Sequence, residues 1–471
     1  MFYFKFDFYG REQELDELNS LYRRDGFKFV VVYGRRRVGK SSLIQKFISE
    51  GDKPSISFMA LEQNDKYNLD SFSEIIMNRF DDTRDYLTSF KSWEKALDYI
   101  ISKVKDERLV LFIDEYPYVA NSNPSISSIL QKYIDGDFQK TNIMLILCGS
   151  SMSFMEAQVL GRKSPLYGRR DMQFKVEPFD YYDSAKFFDK WIYEDKAVAY
   201  AVTGGIPQYL NKLKAYDSLS EGIKNEFLKK SGSLYEEPRN LLMQELREPA
   251  VYNTILSAIS KGATKPNEIS TKTGEENRKV SKYLLSLIGL HIIKREIPML
   301  SKQQRNGIYV IVDNMFKFWY RCVLPNVTNI ESGMHEYVYE QKIVPEMSSY
   351  MGRVFEEISI QFLKRQNKNM NLPFVFDSIG RWWGSNPSLK RQEEIDIIAT
   401  SKESIIFAEC KWKDTVGIEV LEDLKRKASL FEGNKKQYFY LFSKGSFTKA
   451  VKDKAIEDES IKLIELRNMY F

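Results

Sequence analysis

Histidine and cysteine are scarce in this chain. The two histidines, His291 and His335, and the three cysteines, Cys148, Cys322 and Cys410, stand far apart and include no C-x-x-C pair. That spread excludes a readable zinc site and a disulfide framework, and it predicts a reducing, cytoplasmic compartment. Long apolar runs are also missing. The longest, "LVLFI" and "IMLIL", have the length of strands, so no membrane-spanning helix is expected. The opening "MFYFKFDFYG" has neither a basic start nor a cleavage site and does not read as a signal peptide. Neither sign of charge dominates: 70 Lys and Arg against 65 Asp and Glu leave a net charge of +5, which alone does not argue for nucleic acid.

What is present is modular. At 471 residues the chain exceeds one compact core. The expected segments are 1–175, 176–240, 241–325, 326–349 and 350–471. In the first, the strand candidates "FKFVVVYG", "SISFMAL", "RLVLFIDE", "NIMLILCGS" and "DMQFKVEPF" alternate with amphipathic helices. That alternation predicts an α/β fold with a mostly parallel sheet covered on both faces.

Within it, "VVVYGRRRVGKSSL" carries Gly34-x-x-x-x-Gly39-Lys40-Ser41, a phosphate loop between a strand and a helix. Gly34 and Gly39 let backbone N–H groups curl around phosphate, and the helix N-terminus adds partial positive charge. Arg35, Arg36, Arg37, Val38 and Ser42 share this phosphate-facing stretch. Lys40 is expected on the β- and γ-phosphates and Ser41 on Mg²⁺, so the cofactors predicted are ATP and Mg²⁺. "RLVLFIDEY" supplies the acidic partner, with Asp114 for the metal and Glu115 as the water-polarising base. Ser150, at the end of "LILCGSS", is a γ-phosphate sensor candidate. Arg169 and Arg170 in "SPLYGRR" are candidate arginine fingers, in cis or from a neighbouring subunit; the competing reading is a surface loop.

"FYGREQELDEL", the phosphate loop, "FIDEYPY", "LCGSS", "PLYGRR" and "GGIPQYL" together resemble the AAA-type P-loop ATPases of archaea and bacteria, over essentially the whole chain. The resemblance implies that Gly10 and Arg11 lie near the nucleotide base. It further implies that the segment around Gly204, Gly205 and Pro207 begins a helical lid over 176–240, and that self-association through the ATPase module is possible.

Residues 249–312 read as three helices followed by paired strands, a winged helix-turn-helix pattern. Arg278, Lys279 and Lys282 open its third helix, while Lys294, Arg295, Lys302 and Arg305 decorate the wing. This arrangement suits DNA phosphates better than base edges. The alternative is a solvated basic face used for packing.

The last segment contains "EEIDIIATSKESIIFAECKW". Glu409 and Lys411 fall two apart on one strand and so on one face, and a short hairpin sets Asp396 beside Glu409. Like charges across strands cost stability unless a cation joins them. Asp396, Glu409 and the Cys410 carbonyl are the expected metal ligands, Lys411 orients a water, and Glu356, with Glu357 beside it, adds a helical carboxylate. Helix-borne Glu, then Asp, then Glu-x-Lys is similar to the PD-(D/E)xK nuclease fold, with Ile395 where the motif has proline. A restriction-endonuclease-like α/β domain and a metal-dependent DNA nuclease are thereby implied. Two readings compete with cleavage: a simple ion pair, and a nuclease fold kept only for binding. Trp382 and Trp383 are expected to pack the sheet rather than stack on bases.

Overall fold

A computed structural model describes residues 8–80, 89–104, 107–301, 307–386, 389–431 and 433–471. Lys302 and Arg305 of the expected wing lie outside the described residues. The chain divides into two compact units, Met1–Pro178 and Phe179–Phe471.

In the first unit the strands β1 (Lys28–Tyr33), β2 (Ser55–Met59), β3 (Leu109–Asp114), β4 (Ile143–Gly149) and β5 (Met172–Lys175) form one parallel sheet in the order β2-β3-β4-β1-β5. Strands β3 and β4 are buried along their whole length and β1 nearly so. This burial explains their unbroken Val, Ile and Leu runs: a parallel strand with both faces covered has no polar side. The register sets Val31 opposite Leu147 and Ile113 opposite the same residue from the other flank. Strand β4 therefore stands between the strand that feeds the phosphate loop and the strand that ends in Asp114. Helices α1 (Glu12–Tyr22) and α2 (Lys40–Ser49) present Leu15, Leu18, Leu21 and Leu43, Ile44, Phe47 to the interior at helical spacing.

The second unit opens with helices, including Tyr193–Thr203 and Pro207–Lys214. Between these two, Gly204 and Gly205 have φ of 66° and 71°, and a Cβ on Gly205 would meet the Phe179 carbonyl oxygen at 2.0 Å. The Gly-Gly-x-Pro segment is thus a close backbone crossing as well as a helix start. Helices Pro249–Ser260, Pro266–Thr273 and Asn277–Gly289 follow, then the antiparallel pair β6 (Ile293–Glu296) and β7 (Ile308–Ile311).

The expected start of the last segment at residue 350 falls inside a helix. Val344–Lys368 is one helix of 25 residues, and its buried side Tyr350, Val354, Ile358, Phe362 repeats every four residues. Behind it lie β8 (Ser378–Asn386), β9 (Arg391–Thr400), β10 (Ser404–Lys411), β11 (Thr415–Val416), β12 (Lys436–Ser443), β13 (Ser446–Phe447) and β14 (Ile461–Glu465). The large sheet runs β14-β12-β10-β9-β8, antiparallel from β8 to β10 and parallel from β10 to β14. Helix Ile418–Ala428 makes the β10-to-β12 crossover, and Ile395, Ile398, Phe407, Leu421, Leu424 and Leu441 form the core beneath it. Each such buried side chain contributes about 1.5–3 kcal/mol.

The Gly205→Ala variant is expected to lose about 2–4 kcal/mol of stability, because positive φ and a backbone clash coincide there. Chemical denaturation monitored by circular dichroism checks this; a loss below about 0.5 kcal/mol contradicts the close crossing.

Candidate functional site

In the first unit, the phosphate loop leaves β1 at Gly34 and enters α2 at Lys40. Gly34, Arg37 and Gly39 have φ of 155°, 70° and 90°, so the loop turns through conformations that extended strand residues do not adopt. A Cβ on Gly34 would strike the Val176 carbonyl oxygen at 2.3 Å, which fixes the loop against the backbone after β5. Among the described residues, no side chain caps the N-terminus of α2. Its first-turn N–H groups suit an anion. Lys40 is only 5% exposed, and its Nζ donates to the Arg35 carbonyl at 3.0 Å, arched over the loop. Arg36 donates to the Tyr118 hydroxyl at 3.1 Å. Arg11 pairs with Glu14 at 3.1 Å and also donates to the Glu177 and Val38 carbonyls, so it ties the start of α1 to the loop backbone.

Asp114 ends β3 and is 4% exposed. Its carboxylate accepts from the Glu115 N–H at 3.0 Å. Cys148 borders both halves of this site. Burial pushes its thiol up, Asp114 adds to the rise, and the Lys40 ammonium opposes it. Glu115 adopts φ 51° and accepts from both the Ser150 N–H at 3.2 Å and the Ser150 hydroxyl at 2.8 Å. Three strand ends therefore converge: the loop after β1, Asp114 and Glu115 after β3, and Ser150 after β4. The ordering of the sheet is what makes Ser150 the bridge. The uncapped helix, the buried ammonium and the buried carboxylate fit a magnesium–nucleotide pair.

The two finger candidates part company. Arg169 makes a bidentate pair with Asp135 at 2.7 Å through each nitrogen and donates to the Pro165 carbonyl, so the surface-loop reading describes it. Arg170 lies within electrostatic reach of the Tyr33 hydroxyl at the end of β1.

In the second unit, β9 and β10 pair with Phe407 opposite Ile398 and Ala408 opposite Ile397, which brings Glu409 to Asp396 at the next position. Asp396 accepts from the Cys410 N–H at 2.8 Å. Lys411 meets Glu409 Oε1 at 2.7 Å. Burial raises the carboxyl groups of Asp396 and Glu409, and each feels the other's neighbourhood: Asp396 lifts Glu409, while Lys411 and Lys427 pull both down. Burial alone would lower Lys411, but Glu409 and Asp396 outweigh it and its pKa is raised. Glu356 is raised to about 8 by burial and by Asp396, against the pull of Arg353.

Glu356 is held by Arg381 and Arg353, each at 2.9 Å, and among the described residues no three His, Cys, Asp or Glu side chains stand together as a metal cage. Glu356 lies within electrostatic reach of Asp396 while the two arginines hold its carboxylate. The Cys410 N–H is the group that meets Asp396. What is assembled is a pair, Asp396 and Glu409, and Glu409 Oε2 is buried without a hydrogen-bond partner among the described residues. An orphaned carboxylate oxygen beside a second carboxylate fits one hard divalent cation.

Three participants were not anticipated. Arg381 sits where the β8–β9 register shifts, between Gly380 and Trp382, and also pairs with Glu296 of β6 at 3.0 Å. Arg353 lies one helical turn before Glu356. Lys427 reaches Glu409 Oε2 at 3.6 Å from the crossover helix. Only Lys427 left a signal: it falls three residues after Leu424, on the apolar face. Trp382 packs edge-on against Phe431 at 4.9 Å, and Trp383 lies by Arg381. In the middle of this unit, Arg278, Lys279 and Lys282 are exposed, with Lys279 paired to Glu275 at 3.0 Å and Lys294 to Glu296 at 3.1 Å.

Residues 8–213 match a family described as an ATPase domain predominantly from Archaea. An uncharacterized protein of Methanocaldococcus jannaschii is 34% identical over 431 residues, which cover 90% of this chain and 92% of that protein. The chain belongs to this family of P-loop ATPases. Residues 319–427 of the ATPase match a second family, described as archaeal and bacterial proteins of unknown function. A second protein of the same organism is 42% identical over 53 residues, 11% of this chain and 52% of its own length. Among solved structures, a Walker-type ATPase of Pyrococcus abyssi aligns with a TM-score of 0.50 at 20% identity, covering 67% of this chain and 96% of that one. At that identity the likeness is one of fold. No helix among the described residues is long and apolar enough to cross a membrane.

The Arg169→Ala variant of this ATPase is expected to keep its ATP turnover within twofold and to lose at most about 1 kcal/mol of stability, the usual worth of an exposed ion pair. Phosphate-release and melting measurements check both. A tenfold loss of turnover with an unchanged melting temperature contradicts the structural role.

Proposed function

We propose that the chain binds and hydrolyses ATP in its first unit and acts on DNA phosphodiesters in its second. The convergence of Lys40, Asp114, Glu115 and Ser150 at three neighbouring strand ends carries the first half of the reading. Ser41 and Asp114 are the residues that would hold Mg²⁺, which when bound neutralises phosphate charge. The first-turn N–H groups of α2 cradle the phosphates, and Lys40 turns from the Arg35 carbonyl to the γ-phosphate. Glu115, once released by Ser150, takes the proton of the attacking water. The water oxygen bonds to the γ-phosphorus, the bond to the bridging oxygen breaks, and ADP leaves. Ser150, freed in the same exchange, is placed to meet the γ-phosphate. Arg170 remains the finger candidate.

For the second half, the buried pair Asp396 and Glu409 with Lys411 beside it supports a metal-assisted phosphodiesterase. Asp396 and Glu409 would hold a divalent cation, whose chemistry is to polarise the phosphate. Lys411 orients the water. The exposed Arg278, Lys279 and Lys282 would bind DNA phosphates in the manner of a winged helix. Nucleotide state would then reposition the nuclease-like module on DNA. A specific observation favours a second reading, in which this module binds DNA or protein without cutting. Lys411, Lys427 and Arg381 already neutralise much of the acidic centre.

One paired experiment separates these readings. Lys40→Ala is expected to abolish ATP turnover by at least about 100-fold. Lys411→Ala is expected to retain ATP turnover while Mg²⁺- or Mn²⁺-dependent cleavage of duplex, branched or single-stranded DNA falls by a similar factor. If the unmodified protein cuts none of these DNAs, the non-cleaving reading replaces the phosphodiesterase. If Lys40→Ala hydrolyses ATP normally, the ATPase assignment of the loop fails.

A further inference from the structure

Helix Ile418–Ala428 packs Leu421, Leu424 and Ala428 on the sheet, and Lys427 lies on that same buried face. An ammonium there is costly, since it leaves water for an apolar layer. Lys427 is 8% exposed and meets two carboxylates, Asp423 Oδ2 at 3.0 Å and Glu409 Oε2 at 3.6 Å. Asp423 is itself fixed by Arg426 at 2.7 Å, and Arg426 is anchored on Glu393 at 3.0 and 3.1 Å. The lysine is therefore held from its own helix and aimed across at β10. Glu409 is flanked on both oxygens: Lys411 holds Oε1 from the same strand, and Lys427 faces Oε2 from the helix.

We infer that Lys427 is a positioning residue of the C-terminal phosphodiesterase site, holding the Glu409 carboxylate turned toward Asp396 so that the two can share a divalent cation. This rests on the phosphodiesterase reading above. A leucine at position 427 would satisfy packing better than a lysine, because buried ion pairs are often no more stable than apolar side chains of similar volume. Stability and site geometry therefore pull in opposite directions at this residue, which gives the inference a signature that a structural lysine lacks. Lys411 alone leaves Oε2 free to rotate away from Asp396; the second ammonium removes that freedom.

The experiment titrates Mn²⁺ into the full chain without nucleotide, followed by electron paramagnetic resonance, for the unmodified protein, Asp396→Asn, Lys427→Met and Lys427→Arg. Melting temperatures and Mn²⁺-dependent DNA cleavage accompany it. The ion lost in Asp396→Asn is expected to bind at least fivefold more weakly in Lys427→Met, while the melting temperature stays equal or rises. Cleavage should lose at least tenfold in kcat with KM for DNA within twofold, and Lys427→Arg should recover most of both losses. Unchanged Mn²⁺ affinity in Lys427→Met overturns the inference while leaving the site's reading intact. A fall in melting temperature that tracks the losses, without rescue by arginine, also overturns it in favour of a structural lysine. If Asp396→Asn removes no ion from the unmodified protein, the phosphodiesterase reading fails and takes this inference with it. The Mn²⁺ arm decides even where no DNA is cut.

Discussion

A carboxylate at the end of a buried strand gives up its water and needs charge or hydrogen bonds in exchange, and each unit of this chain supplies them. In the first unit, Asp114 and Lys40 both lie within electrostatic reach of Cys148, and Glu115 is satisfied by hydrogen bonds from Ser150. In the second, Asp396 and Glu409 fall at neighbouring positions of the β9–β10 hairpin, with Lys411 and Lys427 within electrostatic reach of both. The cost of desolvating these groups is several kcal/mol per charge if left alone. Much of the local architecture follows from offsetting it: the sheet order that inserts β4 between β1 and β3, and the crossover helix that turns a lysine inward.

The two centres handle the condition differently. At the phosphate loop the positive groups are an ammonium and the uncapped end of a helix, both of which can be handed over to an incoming anion. At the second centre the cations are side chains paired with the acids themselves, with Arg381 and Arg353 on Glu356, Lys411 on Glu409 Oε1 and Lys427 3.6 Å from its Oε2. An incoming cation there must share or displace what is present. Arg381 also ties Glu356 to Glu296 of the β6–β7 pair, so the acidic centre is joined to the preceding helical module within the second unit. This coupling gives the non-cleaving reading its physical basis, and it gives a cleaving enzyme a centre that rests in a neutralised state.

The sequence made the strands readable because buried parallel strands need unbroken apolar runs, and β1, β3 and β4 have them. It made the loop Gly34 to Ser41 readable because its glycines recur at the spacing a phosphate loop needs, and at Gly34 a Cβ would strike the Val176 carbonyl. The hairpin that brings Asp396 to Glu409 was visible in the alternation around "SKES". Pairings across long separations were not. Nothing local announces that Arg169 belongs to Asp135, 34 residues earlier, or that Glu115 leans on Ser150. Arg381 was hidden because a register shift re-aims a side chain that regular alternation would place elsewhere. The start of helix Val344–Lys368 was missed because it begins Val-Pro, and the proline reads as a break although it suits that position. Lys427 was within reach of a helical-face count that noticed its charge among leucines.

The central claim is that two separate acidic strand ends each capture one divalent ion. Electron paramagnetic resonance of Mn²⁺ bound to the full chain, with and without a non-hydrolysable ATP analogue, tests it most directly. The account predicts two independent ions in the presence of the analogue, one removed by Asp114→Asn and the other by Asp396→Asn, each substitution leaving the other ion in place. A single ion lost through Asp114→Asn alone contradicts the claim for the second unit, and no analogue-dependent ion at all contradicts it for the first.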